Sequence, residues 1–295
     1  MFPDAASFAS LTDDPAMALL REGRVDEAVL RAKSRVSDAR LAEEDGEEGA
    51  MLELAYCLER LGTVEKELGN VEEAEAALRE ALELAQRAEA PLGLLAEMRT
   101  NLATLLDFSQ READAVPLYE QAISDYEAMD PPEAEVVAQL RNNLAMIYKG
   151  LGKFALAEQH YLRALETLES RQGALSEPVA AVYNNLGGLY YTAGFAEQAK
   201  EMFTQGLKTR FELLGENHPD VAQSHCNLAT VCHELGDNAK AVEHFERSLE
   251  ILEDNIEQEA ASYEAAALDF ISLLELMGDD RKVAAVRKRM QKTLA

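Results

Sequence analysis

Leu214-Gly215-Glu216-Asn217-His218-Pro219-Asp220-Val221-Ala222 runs on through Cys226-Asn227-Leu228-Ala229 to Leu235-Gly236-Asp237-Asn238-Ala239-Lys240-Ala241. The stretch predicts a helix end, a short loop, a helix start, a turn and a second helix. Gly215 is expected to end the first helix in the left-handed conformation. Pro219 suits the first turn of the next helix, where its missing N–H would find no partner anyway. His218, just before it, is placed to cap that helix. Gly236 breaks the apolar pattern, and Ala241, Phe245 and Leu249 resume it at spacings of four. This is one helical hairpin.

The hairpin repeats. Steps of 42 residues back from Asn227-Leu228-Ala229 reach Asn185-Leu186-Gly187, Asn143-Leu144-Ala145 and Asn101-Leu102-Ala103. The turn residues keep the step as Gly236, Gly194, Gly152 and Gln110, and a less sharp turn is expected at Gln110. The small residues follow as Ala241, Ala199, Ala157 and Ala115, and the aromatics as Phe245, Phe203, Tyr161 and Tyr119. Self-similarity of this length predicts stacked hairpins, each too thin to bury its own apolar face.

An apolar and small centre in the first helix, then Tyr148 or Tyr190, Gly, Ala and an aromatic, resembles the tetratricopeptide repeat. The family's repeat is about 34 residues. Lengthening it by about eight helical residues adds roughly 12 Å of helix per repeat. The resemblance is to the kinesin light chain type. It rests on Leu214-Gly215 with Asn217-His218-Pro219-Asp220-Val221-Ala222, and on Asn142-Asn143-Leu144-Ala145, Tyr148, Gly152-Lys153-Phe154 and Ala157-Glu158. It is strong over 96–260. The heptad region that joins eukaryotic members to a motor heavy chain is missing, so the chain is most similar to the short bacterial kinesin light chains. The resemblance implies an all-α, right-handed superhelical solenoid of tetratricopeptide repeats of about 42 residues.

The expected organisation is one solenoid over 1–295, with an irregular N-terminus (1–14), a partial first hairpin (15–54), repeats (55–263) and a C-terminal capping hairpin (264–295). Pro117 lies early in its return helix, where a kink is expected. Glu43-Glu44-Asp45-Gly46-Glu47-Glu48 reads as a solvated loop and acidic helix start, with an acidic docking patch as the alternative. The net charge of −27 disfavours nucleic acid as a partner. No run approaches the ~18 apolar residues that span a bilayer. The start, Met1-Phe2-Pro3-Asp4, has neither the basic nor the apolar segment of a secretory signal. Three cysteines, Cys57, Cys226 and Cys232, argue against a disulfide framework. A monomer in the cytoplasm, free or filament-associated, is expected.

In the family that the repeats resemble, the first helix of each hairpin lines a concave groove. With Leu144 as the seventh residue, the sixth place holds Asn101, Asn143, Asn185 and Asn227, and the fifth holds Thr100, Asn142, Asn184 and Cys226. An Asn both donates and accepts, so it can pair with the backbone of an extended ligand whatever its side chains. The alternative is that these amides bond neighbouring helices and hold the stack. Gln139, Met146, Lys149, Tyr191, Gln223, Thr230 and His233 complete the candidate groove. Cations at inner positions are Arg60, Lys66 and Lys149, too few for a clamp on a chain terminus.

Two adjacent pairs, His225-Cys226 and Cys232-His233, occupy different helix faces and leave a zinc site unfilled, so no metal and no cofactor is expected. His160 and His244 share a repeat position and form no constellation. Signatures of enzymes are missing: no phosphate loop, no Gly-x-Ser-x-Gly and no His-Glu-x-x-His, and the many Glu pairs belong to solvated faces. At the C-terminus, Arg281, Lys282, Arg287, Lys288, Arg289 and Lys292 surround the apolar stripe Val283, Val286 and Met290. This helix reads as a cap, or as a basic contact for an acidic protein or an anionic membrane. The expected function is protein–protein scaffolding without catalysis. The resemblance implies bacterial tubulin filaments as the partner, with a linear peptide in the groove or a membrane tether as alternatives.

Overall fold

A computed structural model of the chain describes residues 14–294. The irregular stretch expected over 1–14 lies outside the described residues except for Asp14, whose carboxylate caps the first helix by accepting from the Ala16 N–H at 2.8 Å. Among the described residues there are fourteen α-helices and no strand. They divide between two compact units, Met1–Leu140 and Arg141–Ala295.

The first unit contains α1 (Pro15–Arg21), α2 (Val25–Glu44), α3 (Ala50–Glu67), α4 (Val71–Arg87), α5 (Leu92–Phe108), α6 (Glu112–Ala128) and the first residues of α7 (Ala134–Gly150). The second holds the rest of α7, α8 (Phe154–Gln172), α9 (Glu177–Thr192), α10 (Ala196–Leu214), α11 (Pro219–Glu234), α12 (Asn238–Asp254), α13 (Ile256–Leu276) and α14 (Asp280–Thr293). Within each unit every substantial contact joins a helix to the next or to the next but one, such as α3 to α5, α9 to α11 and α11 to α13. A core assembled only from neighbours is what stacked hairpins produce.

The core follows the repeat. Ala115, Ala157, Ala199 and Ala241 have no exposed surface, and Tyr119, Tyr161, Phe203 and Phe245 are buried. Gly187 replaces the alanine of the other repeats for a steric reason: a Cβ there would stand 2.6 Å from the Phe203 ring. Phe245 stacks on Phe270 of α13 at 5.2 Å between ring centroids. Val286 of α14 is buried in the same cluster, with Val283 and Met290 packed against it. Arg287, where Phe245 would recur, is exposed and pairs with Glu275 at 2.7 Å. The outer hairpin thus turns its charge to water.

The turns correct one expectation. At Gly152 the N–H donates to the Lys149 carbonyl at 3.0 Å, and the Lys153 N–H to Tyr148 at 2.8 Å. The same two bonds recur at Gly194 and Gly236, with φ of 71°, 83° and 80° along the series. Gln110 does not loosen the turn. It adopts φ 57°, and the same bonds form, Gln110 to Asp107 and Arg111 to Leu106, both at 2.9 Å. An L-residue in this region carries a steric cost of about 1–2 kcal/mol, part of which a glycine returns as chain entropy. Gln110→Gly is therefore expected to stabilise the chain by about 0.5–1 kcal/mol, measured as a raised denaturant midpoint.

Pro117 leaves α6 unbroken from Glu112 to Ala128. Ala113, whose carbonyl loses its partner, is exposed, as is Pro117, so water can replace the missing bond. The non-helical residue lies elsewhere, at Glu259 of α13 (φ −112°, ψ 20°). Gly215 takes φ 85° and ψ 162°, an extended mirror-image conformation rather than the left-handed helical one, and Gly173 matches it at 81° and 166°.

Candidate functional site

The asparagines at the sixth place are half-buried, and in both units they reach back along the stack. In the second unit, Asn185 Nδ2 donates to Asn142 Oδ1 at 2.9 Å, and Asn227 Nδ2 to Asn184 Oδ1 at 3.3 Å. Each rung joins a sixth-place amide to the fifth place of the preceding repeat. Asn142 Nδ2 also donates to Asn143 Oδ1 at 3.4 Å, Gln223 Nε2 donates to Asn227 Oδ1 at 3.3 Å, and Asn184 Nδ2 donates to the Ala180 carbonyl at 3.0 Å. Gly206 of α10 presses on Asn184, whose Nδ2 is 2.7 Å from where a Cβ would stand. These amides therefore bond one another and hold neighbouring helices together.

The first unit makes the same rung with a different acceptor. Asn101 Nδ2 donates to Glu59 Oε1 at 2.5 Å. Counted back from the turn at Gly69, Glu59 holds the fifth place and Arg60 the sixth, because the step from Gly69 to Gln110 is 41 residues. That count is the signal by which Glu59 could have been found. Its side chain is 1% exposed. Burial raises its pKa, against the pull of Arg60, whose Nε lies 3.0 Å from Glu59 Oε2 in an ion pair without hydrogen-bond geometry. Arg60 also reaches Glu97 at 3.2 Å and lies over the Tyr56 ring at 5.2 Å. It is committed to this cluster and not offered to a ligand.

The remaining candidates fall into two kinds. Gln139, Met146 (52% exposed), Tyr191 (38%), Gln223 and Thr230 are open to solvent. Lys149 and His233 are half-buried. Lys149 Nζ rests over Gly188, 3.3 Å from where a Cβ would stand. His233 turns to the start of α12, with Nδ1 2.8 Å from Asn238 Oδ1. His218 caps α11, its Nδ1 accepting from the Asp220 N–H at 3.2 Å.

His244 belongs to a constellation that spacing alone did not show. Its Nδ1 lies 2.8 Å from His225 Nδ1, with ring centroids 5.1 Å apart, across α11 and α12. One neutral ring donates and the other accepts. Burial, the neighbouring ring and Arg247 push His225 down to about 4, and burial lowers His244 as well. Cys226 Sγ meets Ser248 Oγ at 3.0 Å, and burial pushes its thiol up to about 11. Among the described residues no group of three or more His, Cys, Asp or Glu could hold a metal ion.

Two of the six C-terminal cations are consumed internally. Arg289 bonds Glu253 at 2.7 and 2.8 Å and Glu246 at 2.9 Å, which holds the Glu253 carboxyl below its ordinary range. Arg287 holds Glu275. Arg281, Lys282, Lys288 and Lys292 are exposed and make no ion pair among the described residues. At 100° per residue, Arg281, Lys288 and Lys292 fall within roughly 40° of one another, opposite the buried stripe. No helix among the described residues is long and apolar enough to cross a membrane.

The tetratricopeptide repeat model matches residues 53–128, 136–210 and 179–254. BtubC (BKLC) from P. vanneervenii is 34% identical, with 77% of this chain and 90% of that one covered at a TM-score of 0.64. TPR-like repeats from Podosopora anserina, assigned to a kinesin light chain, are 18% identical and cover 68% of this chain and 95% of theirs at 0.60. A STAND protein with a tetratricopeptide repeat sensor, from Pyrococcus horikoshii, is 14% identical, with 95% of this chain and 40% of that one covered at 0.73. The last two show the fold alone. No curated protein matches the chain.

Proposed function

Because the chain belongs to the tetratricopeptide repeat family, and within it is of the kinesin light chain type, we propose that it is a scaffold that binds and stabilises bacterial tubulin filaments. A role in protein interaction follows from the repeats themselves. The observation that carries the finer reading is the 34% identity with BtubC (BKLC) over 77% of this chain. The resemblance to bacterial kinesin light chains implies the filament. Repulsion between a chain of net charge −27 and an acidic filament limits the contact to surfaces that are neutral or positive. The inner faces supply the first with Met146, Tyr191 and the amide rungs. The outward side of α14 supplies the second with its unpaired cations Arg281, Lys288 and Lys292.

The test is co-sedimentation with polymerised bacterial tubulin. The chain is expected to pellet with filaments, and Met146→Ala with Tyr191→Ala to reduce this about tenfold without moving the unfolding midpoint, since neither side chain is buried. If neither pelleting nor the light scattering of polymerising tubulin responds to the protein, the filament reading falls. The exposed polar side chains of Gln139, Gln223 and Thr230 on the first helices favour a second reading, an adaptor for a linear peptide lying along the inner faces. In that case the double substitution abolishes peptide capture, and filaments are ignored.

A further inference from the structure

The rungs stop at one place. Carried one repeat further, the sixth place after Asn227 is Asp269, and the fifth place it faces is Cys226. A carboxylate stands where an amide donor stood, and Cys226 has turned to Ser248 instead. Asp269 makes no hydrogen bond or ion pair among the described residues. At this unclosed rung a cavity of about 490 Å³, open to solvent, lies between α11 and α13. Glu259, the non-helical residue of α13, and Asp220 of α11 also line it. The Glu259 carboxylate is likewise unpaired; the Asp220 carboxylate has His218 beside it at 3.7 Å, while the Asp220 carbonyl accepts from Arg210 at 3.1 Å. No Lys or Arg lines the cavity.

We propose that this cavity receives a basic side chain, of arginine shape, from a partner segment lying along the inner face of the second unit. The proposal rests on the reading of that face as the binding surface and adds the charge that the partner must carry there. Small side chains on α13, such as Ala265, leave room for a long side chain, and Leu252 with Cys226 offers an apolar wall to its methylenes. A guanidinium fork pairs two ways with carboxylates and so suits a site with three of them. Gln223 lines the cavity and bonds Asn227, at the end of the last closed rung. A backbone held by those amides would deliver its next side chain into it. An acidic segment would meet only repulsion.

The probe is the peptide acetyl-Gly-Ala-Arg-Ala-Gly-amide, with Gln in place of Arg as its control, followed through the backbone amide resonances of Ser262 and Ala265. The arginine peptide is expected to shift them saturably and the glutamine peptide to leave them. Glu259→Gln with Asp269→Asn should weaken binding about tenfold, the loss of one charged hydrogen bond or more. Ala265→Leu, which fills the cavity without changing charge, should weaken it as much; this keeps the test decisive should the amide variant fold poorly. Equal shifts from both peptides, or binding unchanged in both variants, would overturn the proposal. The result is independent of filaments: a chain that ignores filaments yet selects the arginine peptide loses the filament reading and keeps this one. The reverse pair of outcomes removes this one alone.

Discussion

Replacing Phe245 with alanine is expected to cost about 3–5 kcal/mol, the range for truncating a fully enclosed aromatic ring. Phe245 of α12 is buried between Ala241 and Leu249 of its own helix and the Phe270 ring of α13, in the cluster that also holds Val286 of α14. Removing it takes contacts from three helices at once. Since each hairpin is stabilised chiefly by its neighbour, the loss should not spread evenly. The terminal pair α13 and α14 should open first, seen as protease cleavage near Asn255 and fast amide exchange beyond it, while α9 and α10 stay protected. Phe108, 84% exposed at the end of α5, is the control, and its alanine variant should be within about 0.5 kcal/mol of the parent. A uniform loss across the chain would refute the neighbour-by-neighbour account.

Lowering the pH from 7 to 4.5 should destabilise the second unit by about 2 kcal/mol, through His225 and His244. Both have lowered pKa values when folded, His225 to about 4 against an ordinary 6.5. The unfolded chain then binds more protons between those values, so stability is full above about 6.5 and is lost as pH falls toward 4. The groups around the pair include Arg247 and Lys240 on α12, Lys200 on α10, and the acids Glu243 and Asp237. For His244 the two lysines add to the effect of burial, and the two acids oppose it. His225→Gln with His244→Gln should flatten the dependence between pH 6.5 and 4.5 in denaturant titrations. Glu253, held low by Arg289, contributes a separate loss that begins only below about 4.5. An unchanged slope in the variant would remove the pair as its cause.

The hairpins were legible because one spacing carries everything that stacking needs. Ala157, Ala199 and Ala241 mark the tight contact, Tyr161, Phe203 and Phe245 the filler, and Gly152, Gly194 and Gly236 the turn. Gln110 was misjudged because residue preference was weighed without the bonds around it. Two backbone hydrogen bonds and the packing of α5 on α6 outweigh the cost of a positive φ.

The asparagines recur in register, but spacing cannot say where their amides point. The rungs join residues one further apart than the local repeat step, 43 in the second unit and 42 in the first, because adjacent first helices are offset by a residue where they touch. The His225–His244 pair escaped for a related reason. Its partners lie on the two helices of one hairpin, 19 residues apart, where no helical period relates them. Arg289 is one of six cations on its helix, and its spacing does not tell that Glu253 and Glu246 hold it. Charge on a helix is visible in a sequence, but its consumption by a neighbouring helix is not.

Amide hydrogen exchange of the full chain, alone and on polymerised bacterial tubulin, tests most directly whether the first helices of the hairpins carry the partner. Slowed exchange is predicted in α7, α9 and α11, centred on Met146, Tyr191 and Gln223, with the return helices α8, α10 and α12 unchanged. Slowing confined to α8, α10 and α12, or none anywhere in the presence of filaments, would contradict the account.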